Sequence, residues 1–300
     1  MIKKSNRKTN LFYLIAWLGL IFLLAICAQS CGHEPKTQPV ITLPPTPPVT
    51  PSVTTTMPYV TTTQPTSPVI PSSSVSTLHL IIVADTQDYK IGSSVAADSR
   101  NMQTLIKLIA YRSNGQLSLN KIVFEGESIT QQNMLTAIDS LRVGANDVIV
   151  FLYAGHGHRY TSTASKWPLM DTRNHPTDFL TVIKKISSKY SRQFIALADC
   201  CNEVVDRYRE RVSLNNNFPY DNIKRMFLDS TAKISASGCK PGQFSYGDGD
   251  GGYFTSAFIS NLRNALLSHG DWNTVLEKTR TDVFSRSGNR QEPQYDKTGN

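Results

Sequence analysis

The chain holds 31 lysines and arginines and a formal net charge of +8, yet no run of cations is interleaved with aromatic residues. A nucleic-acid surface needs clustered cations beside stacking rings, so nucleic-acid binding is not expected. Four of the cations, Lys3, Lys4, Arg7 and Lys8, precede residue 30 in a stretch with no acid, leaving only +4 of the +8 for the rest. No Gly-x-Ser-x-Gly segment is present, which argues against a serine nucleophile of that kind. Asp248-Gly-Asp-Gly-Gly252 opens like a calcium loop, but a twelve-residue loop begun there requires Glu at its end, where Ile259 stands. There is no recognisable calcium site, so no cofactor is expected, while a calcium requirement met through other acidic residues stays open.

Between Pro35 and Thr77 charge is almost missing, with Lys36 alone among Pro, Thr, Ser and Val. Such a composition cannot bury a core and favours an extended, polyproline-like stalk. At up to roughly 3.1 Å per residue it reaches on the order of 100 Å. Ahead of it, the four cations and the apolar run from Leu11 to Ala28 have the layout of a secretion signal. Ala28-Gln-Ser30 followed by Cys31 resembles a bacterial lipoprotein signal, which implies that Cys31 becomes a lipidated first residue. An uncleaved anchor and simple secretion are the alternatives, the apolar run being just long enough to span a bilayer. All three place the rest of the chain outside the cytoplasm, and a lipid-anchored protein of the cell envelope, facing periplasm or exterior, is the expectation. Residues 1–31 are read as signal, 32–77 as linker and 78–300 as one folded domain.

In that domain, strands alternate with helices. Leu78–Ala84, Lys121–Phe124, Asp147–Ala154, Phe194–Asp199 and Thr231–Ala236 read as strands, and Gln291–Tyr295 as an edge strand where Pro293 is tolerable. Apolar spacings of three and four predict one helix through Met102, Leu105, Ile106 and Ile109, with Asp98 near its start. They predict others over Ser128–Leu141, with Thr130 or Ser128 as cap, from about Thr177 to Tyr190, over Tyr253–Leu267, and through Trp272 to Val283. The fold class is α/β, a layered domain.

The two central strands are nearly all apolar, as expected of a parallel sheet covered on both faces. One empties into Gly155-His156-Gly157, the other into Cys200-Cys201. If they are parallel neighbours, both tips lie at the carboxyl edge of the sheet, roughly 5 Å apart, where ligand sites of open α/β sheets are found. An imidazole beside a thiol is the minimum equipment for cysteine nucleophilic catalysis. Gly155 and Gly157 permit close backbone approach and leave the residue 157 amide to face an oxyanion. His158 competes with His156, and Cys200 with Cys201. The His precedes the Cys by 45 positions (201 − 156), the order found in caspases and the reverse of papain-like enzymes.

With Tyr153-Ala-Gly-His-Gly157 and Asp199-Cys-Cys201 both in place, the domain resembles the caspase-like cysteine peptidases, metacaspases more than animal caspases. The resemblance implies a layered sandwich with a six-stranded sheet, five strands parallel. It makes Cys201 the nucleophile, His156 the base, and the amides of Gly157 and Cys201 the oxyanion donors. It departs after the nucleophile, where Asn202-Glu203-Val204 replaces the usual His-Ser-Gly. Asp199 by motif and Asp98 by spacing match an acidic pocket selecting Lys or Arg before the cut; for Asp98 a helix N-cap is the alternative. Lys90, two before Gly92, stands where caspases place an Arg that reads a substrate Asp, but a carboxylate beside the nucleophile favours a basic substrate. Gly251-Gly-Tyr-Phe-Thr255 matches the segment that opens the helix after the fifth strand. The loop bearing Arg207, Arg209, Arg211, Lys224 and Arg225 is where such enzymes are often cut on maturation, so self-processing is one reading and a solvated loop the other. Cys239 lies near Cys200, as free thiols or as a disulfide that an oxidising compartment would permit. Expected partners are protein or peptide substrates and, through the lipid, a membrane; a monomer is expected. The alternative function is an inactive caspase-like binding or scaffold module.

Overall fold

Residues 75–202 and 217–300 are described in this computed structural model. The signal, Cys31, most of the linker, and Arg207, Arg209 and Arg211 lie outside them. In chain order, β1 (Ser76–Ala84), α1 (Gly92–Tyr111), β2 (Leu117–Glu125), α2 (Gln131–Ser140) and β3 (Val148–Ala154) lead to three two-residue strands, β4 (Gly157–His158), β5 (Leu169–Met170) and β6 (Thr177–Asp178). Next are α3 (Phe179–Ser187), β7 (Gln193–Asp199), α4 (Tyr220–Ile223), a π-helical turn (Lys224–Asp229) and β8 (Lys233–Ser237). The hairpin β9 (Gly247–Asp248) and β10 (Gly251–Gly252), α5 (Tyr253–Leu267), α6 (Trp272–Arg286) and β11 (Gln294–Thr298) complete the order.

The main sheet has six strands in the order β11-β8-β7-β3-β1-β2. All pairs are parallel except β11 with β8. Alternation along the strands feeds two separate cores. Leu78, Leu80, Ile82, Val150 and Leu152 face Met102 and Leu105 of α1, Phe254 and Phe258 of α5 and Val275 of α6. Ile81, Val83, Phe151 and Tyr153 face Met134 and Ile138 of α2 and Phe179, Val182 and Ile186 of α3. Helices on both faces explain why β3 and β7 read as unbroken apolar runs.

Several sequence expectations are corrected. Asp98 caps nothing: α1 starts at Gly92, and Asp98 is a buried residue inside it. The extra turn exists because Val95 and Ala97 are buried as well, extending the apolar face toward the start of the helix. The last strand begins after Pro293, with Gln294 opposite Ser237, because proline has no N–H for the ladder. β2 is longer than Lys121–Phe124; it is an edge strand whose partly exposed residues hide its period. Thr130 caps α2, accepting from the Asn133 amide at 3.1 Å, while the Ser128 hydroxyl is engaged with Glu125. The β4-β5-β6 sheet and the β9-β10 hairpin are too short to carry a periodic signal.

The amino-terminal edge of the sheet is locked by one carboxylate. Asp147 accepts from the amides of Thr77 and Gly144, each at 2.7 Å, and lies 3.3 Å from Nε2 of buried His79, whose Nδ1 meets Asn120 Nδ2 at 3.1 Å. Asp147→Ala strips partners from two backbone donors and a buried imidazole. The expected loss is about 2–4 kcal/mol, read as a lower urea midpoint at unchanged m-value.

Candidate active site

The geometry starts from register. Ala154 lies opposite Asp199 at the carboxyl ends of β3 and β7, and the Gly155 amide donates to the Asp199 carbonyl at 3.2 Å. The two tips are therefore fixed side by side. Cys200, two positions after Ala198, shares its face and joins the core beneath α3. A Cβ at residue 157 would stand 2.6 Å from Cys200 Sγ and 2.8 Å from the Leu169 carbonyl, so only glycine admits that sulfur. Cys201 falls on the other side of the tip. Its thiol donates to the Ser245 carbonyl at 3.5 Å, and burial first, then the Asp199 charge, pushes its pKa up to about 11 against the pull of that hydrogen bond.

His156 is held by its backbone. The Tyr153 hydroxyl lies 2.7 Å from the His156 carbonyl and 3.0 Å from that of Asp171, and the Asp171 amide donates to the His156 carbonyl at 3.0 Å. A side chain at residue 155 would collide with this phenol, since its Cβ would sit 2.8 Å from Tyr153 Oη. The imidazole is partly exposed, and its Nε2 faces Asp88 Oδ2 at 3.3 Å. No hydrogen bond joins His156 to Cys201; the thiol is parked on Ser245 instead. His158 is turned elsewhere, with Nδ1 2.6 Å from Asp171 Oδ1 and its ring edge-on to Tyr160. Because Asp171 N bonds His156 O, the Gly157–Met170 pair of β4 and β5 is the non-hydrogen-bonded kind, and the Gly157 amide points away from that ladder. The Cys201 amide also has no partner among the described residues.

Asp98 and Asp199 converge on Gly251-Gly252. Asp98 accepts the Gly252 amide at 3.0 and 2.9 Å. Asp199 accepts from Ser245 Oγ at 2.7 Å through one oxygen, and from Thr255 N at 2.9 Å and Thr255 Oγ1 at 2.7 Å through the other. Glycine is required at 252, where a Cβ would stand 2.1 Å from Asp199 Oδ2. Burial, then the neighbouring Asp199 charge, holds the Asp98 carboxyl well above its usual range; burial also raises Asp199, against its three hydrogen bonds. Neither has an ion pair with a cation among the described residues. Asp248, by contrast, is 2.6 Å from an Arg286 nitrogen. Among the described residues no cluster of three or more His, Cys, Asp or Glu side chains is suited to a metal.

The departure after Cys201 has a structural answer. Asn202 is buried, its amide donates to the Gln243 carbonyl at 3.1 Å, and its Nδ2 donates to the Cys239 carbonyl at 3.2 Å, stitching the tip to the loop after β8. Glu203 and Val204 lie outside the described residues. Cys200 and Cys239 are free thiols, each raised by burial.

A model of the caspase domain family matches residues 83–299. The chain belongs to that family. The caspase-like domain is thus a cysteine-peptidase domain by descent, and its six-stranded, mostly parallel sheet is the fold that descent implies. Among solved structures it is similar to caspase-1 of the insect Spodoptera frugiperda, with 15% identity, a TM-score of 0.47, and coverage of 73% of this chain and 85% of that one. It is also similar to a protein of Geobacter sulfurreducens, with 17% identity, a TM-score of 0.46, and coverage of 75% and 93%. No curated protein matches the chain. No helix among the described residues is long and apolar enough to cross a membrane.

Sequence reading missed Asp88, Asp171 and Ser245, because each reaches the site from a loop, and it named Thr255 only as part of a helix-opening segment, without its bonds to Asp199. The phenol of Tyr153 carried a weak signal, being the one polar handle in an apolar strand. Tyr153→Phe keeps the ring and removes that handle; it is expected to cost about 1–2 kcal/mol and to lower activity through a loosened His156 tip, measured by denaturant unfolding and turnover.

Proposed function

We propose that the caspase-like domain is an active endopeptidase with His156 and Cys201 as its dyad. The observation that supports it most is the β3–β7 register, which sets the His156 tip beside the Cys201 tip while Cys200 is turned into the core. In the reaction, Cys201 rotates off Ser245 and gives its proton to His156, and the sulfur attacks the substrate carbonyl. The amides of Gly157 and Cys201 receive the oxyanion. The imidazolium returns the proton to the leaving amine, and water releases the acyl group from the thioester.

The substrate residue before the cut is proposed to be Arg or Lys. Two buried carboxylates without a cationic partner among the described residues, side by side at Gly251-Gly252 and one of them two residues before the nucleophile, favour a positive group arriving with the substrate. Lys90 lies over the ring of Tyr89. Self-processing is proposed for the segment with Arg207, Arg209 and Arg211. Lys224 suits cleavage less, since it is held by Asp229 at 2.6 Å. Attachment to the envelope through Cys31, a stalk over 32–77 and a monomeric state complete the proposal.

One observation favours the second reading, an inactive binding module: the thiol rests on Ser245, with its pKa pushed up to about 11 and no imidazole among the described residues bonded to it. Fluorogenic peptides ending in Arg, Lys or Asp separate the two. Cleavage after Arg or Lys, abolished in Cys201→Ala and retained in Cys200→Ala, is the expected result; silence on every peptide, with Cys201 inert to electrophiles, selects the module.

Asp98 adds a pH signature. Its carboxyl is raised above the ordinary 3.8, so its contribution to stability is complete below that value and fades as pH rises through the raised one. Asp98→Asn removes the ionisation. The variant is expected to unfold at higher urea than the wild type at pH 7, with the difference shrinking toward pH 4, while cleavage after Arg falls.

A further inference from the structure

Asp88 sits in the turn between β1 and α1, outside both sequence segments that carry the dyad. Its two oxygens are divided between two tasks. Oδ1 accepts the amides of Lys90 at 2.7 Å and Ile91 at 3.0 Å, and the Asp88 carbonyl accepts the Gly92 amide at 2.9 Å, so the turn clamps the side chain in place. Oδ2 is left for His156, whose Nε2 lies 3.3 Å away. The other carboxylate at this tip, Asp85, is matched by Arg173 at 3.5 Å. Burial works to raise the Asp88 carboxyl, but the two amides and the imidazole outweigh it and hold it below the usual carboxylate range.

A carboxylate at one ring nitrogen decides where the proton of a neutral imidazole resides. With an acceptor at Nε2, the proton stays there and Nδ1 keeps the lone pair that can take the thiol proton. We infer that Asp88 is a positioning residue of the dyad, fixing the His156 ring with its proton on Nε2 and steadying the imidazolium that forms when Cys201 ionises. The inference rests on the peptidase reading for its kinetic consequence, though not for its effect on the ring. No bond to Asp88 forms or breaks: the proton moves between Sγ and Nδ1, and the carboxylate remains ionised throughout.

Asp88→Asn isolates this role. It retains an oxygen for the Lys90 and Ile91 amides, so the turn survives, while the amide nitrogen it introduces donates toward Nε2 and drives the proton to Nδ1. On an Arg peptide, kcat is expected to fall about 10- to 100-fold, part of what general acid–base catalysis supplies, with KM within about twofold. Alkylation of Cys201 by iodoacetamide near neutral pH is expected to slow in parallel. In the full-length chain, nitrogen-15 spectra of the His156 ring should report Nε2–H in the wild type and Nδ1–H in Asp88→Asn, with only a small fall in urea midpoint. Asp88→Ala, which also frees the turn amides, should lose both kcat and stability. Wild-type kcat and an unaltered ring tautomer in Asp88→Asn would overturn the inference and leave Asp88 a turn residue. If the wild type cleaves nothing yet the tautomer still switches, the positioning stands and the peptidase reading falls.

Discussion

The site depends on one register. Ala154 is held opposite Asp199, and the amide of the next residue, Gly155, closes on the Asp199 carbonyl at 3.2 Å. Because side chains alternate along a strand, a slip of one residue would turn Cys200 into the cleft and Cys201 into the core, and would carry Asp199 away from Thr255 and Ser245. That register is enforced from below, by β3 and β7 buried on both faces between α1, α5 and α6 on one side and α2 and α3 on the other. It is also enforced at the edges, where Asp147 fixes β1 against β3. The juxtaposition of the two tips is thus a consequence of packing some distance from them.

Glycines allow the tips to close. Residue 157 lies against the sulfur of Cys200, residue 155 against the phenol that holds His156, and residue 252 against the Asp199 carboxylate. Each is a place where a side chain would have to displace an atom that packs or holds the tips. The same closeness leaves the Gly157 amide turned away from β5. It also brings Asp98 and Asp199 together without a cation from the described residues between them. A buried carboxylate pair of this kind is costly in isolation and less so once a guanidinium or ammonium enters, which is the electrostatic ground of the proposed preference for Arg or Lys.

Much of this was legible in the chain. The apolar runs of β3 and β7 and the reactive tips beyond them stand in adjacent segments. Periodicity therefore carries the layered α/β fold, and the Gly-His-Gly and Asp-Cys-Cys segments carry the dyad expectation. The strand near Thr231–Ala236 and the helix over Tyr253–Leu267 followed from the same pattern, whereas the parallel direction of that strand and the Gly251-Gly-Tyr-Phe-Thr255 opening came from the family resemblance. What was not legible has a common physical cause. Asp88, Ser245 and the bonds from Thr255 to Asp199 depend on turns and a helix start, where position is set by tertiary closure and leaves no repeat to read. Asp98 looked like a cap because its helix begins six residues earlier than the apolar spacing suggests. β4, β5 and β6, two residues each, are shorter than any period.

The central claim is that Cys201, and not its neighbour, is a nucleophile activated by His156. The most direct measurement is to treat the full chain with an electrophilic peptide ketone ending in Arg and to map the adduct by mass spectrometry. The account predicts one thioether, on Cys201, that disappears in His156→Ala. An adduct on Cys200, or equal labelling of Cys201 with and without His156, would contradict it.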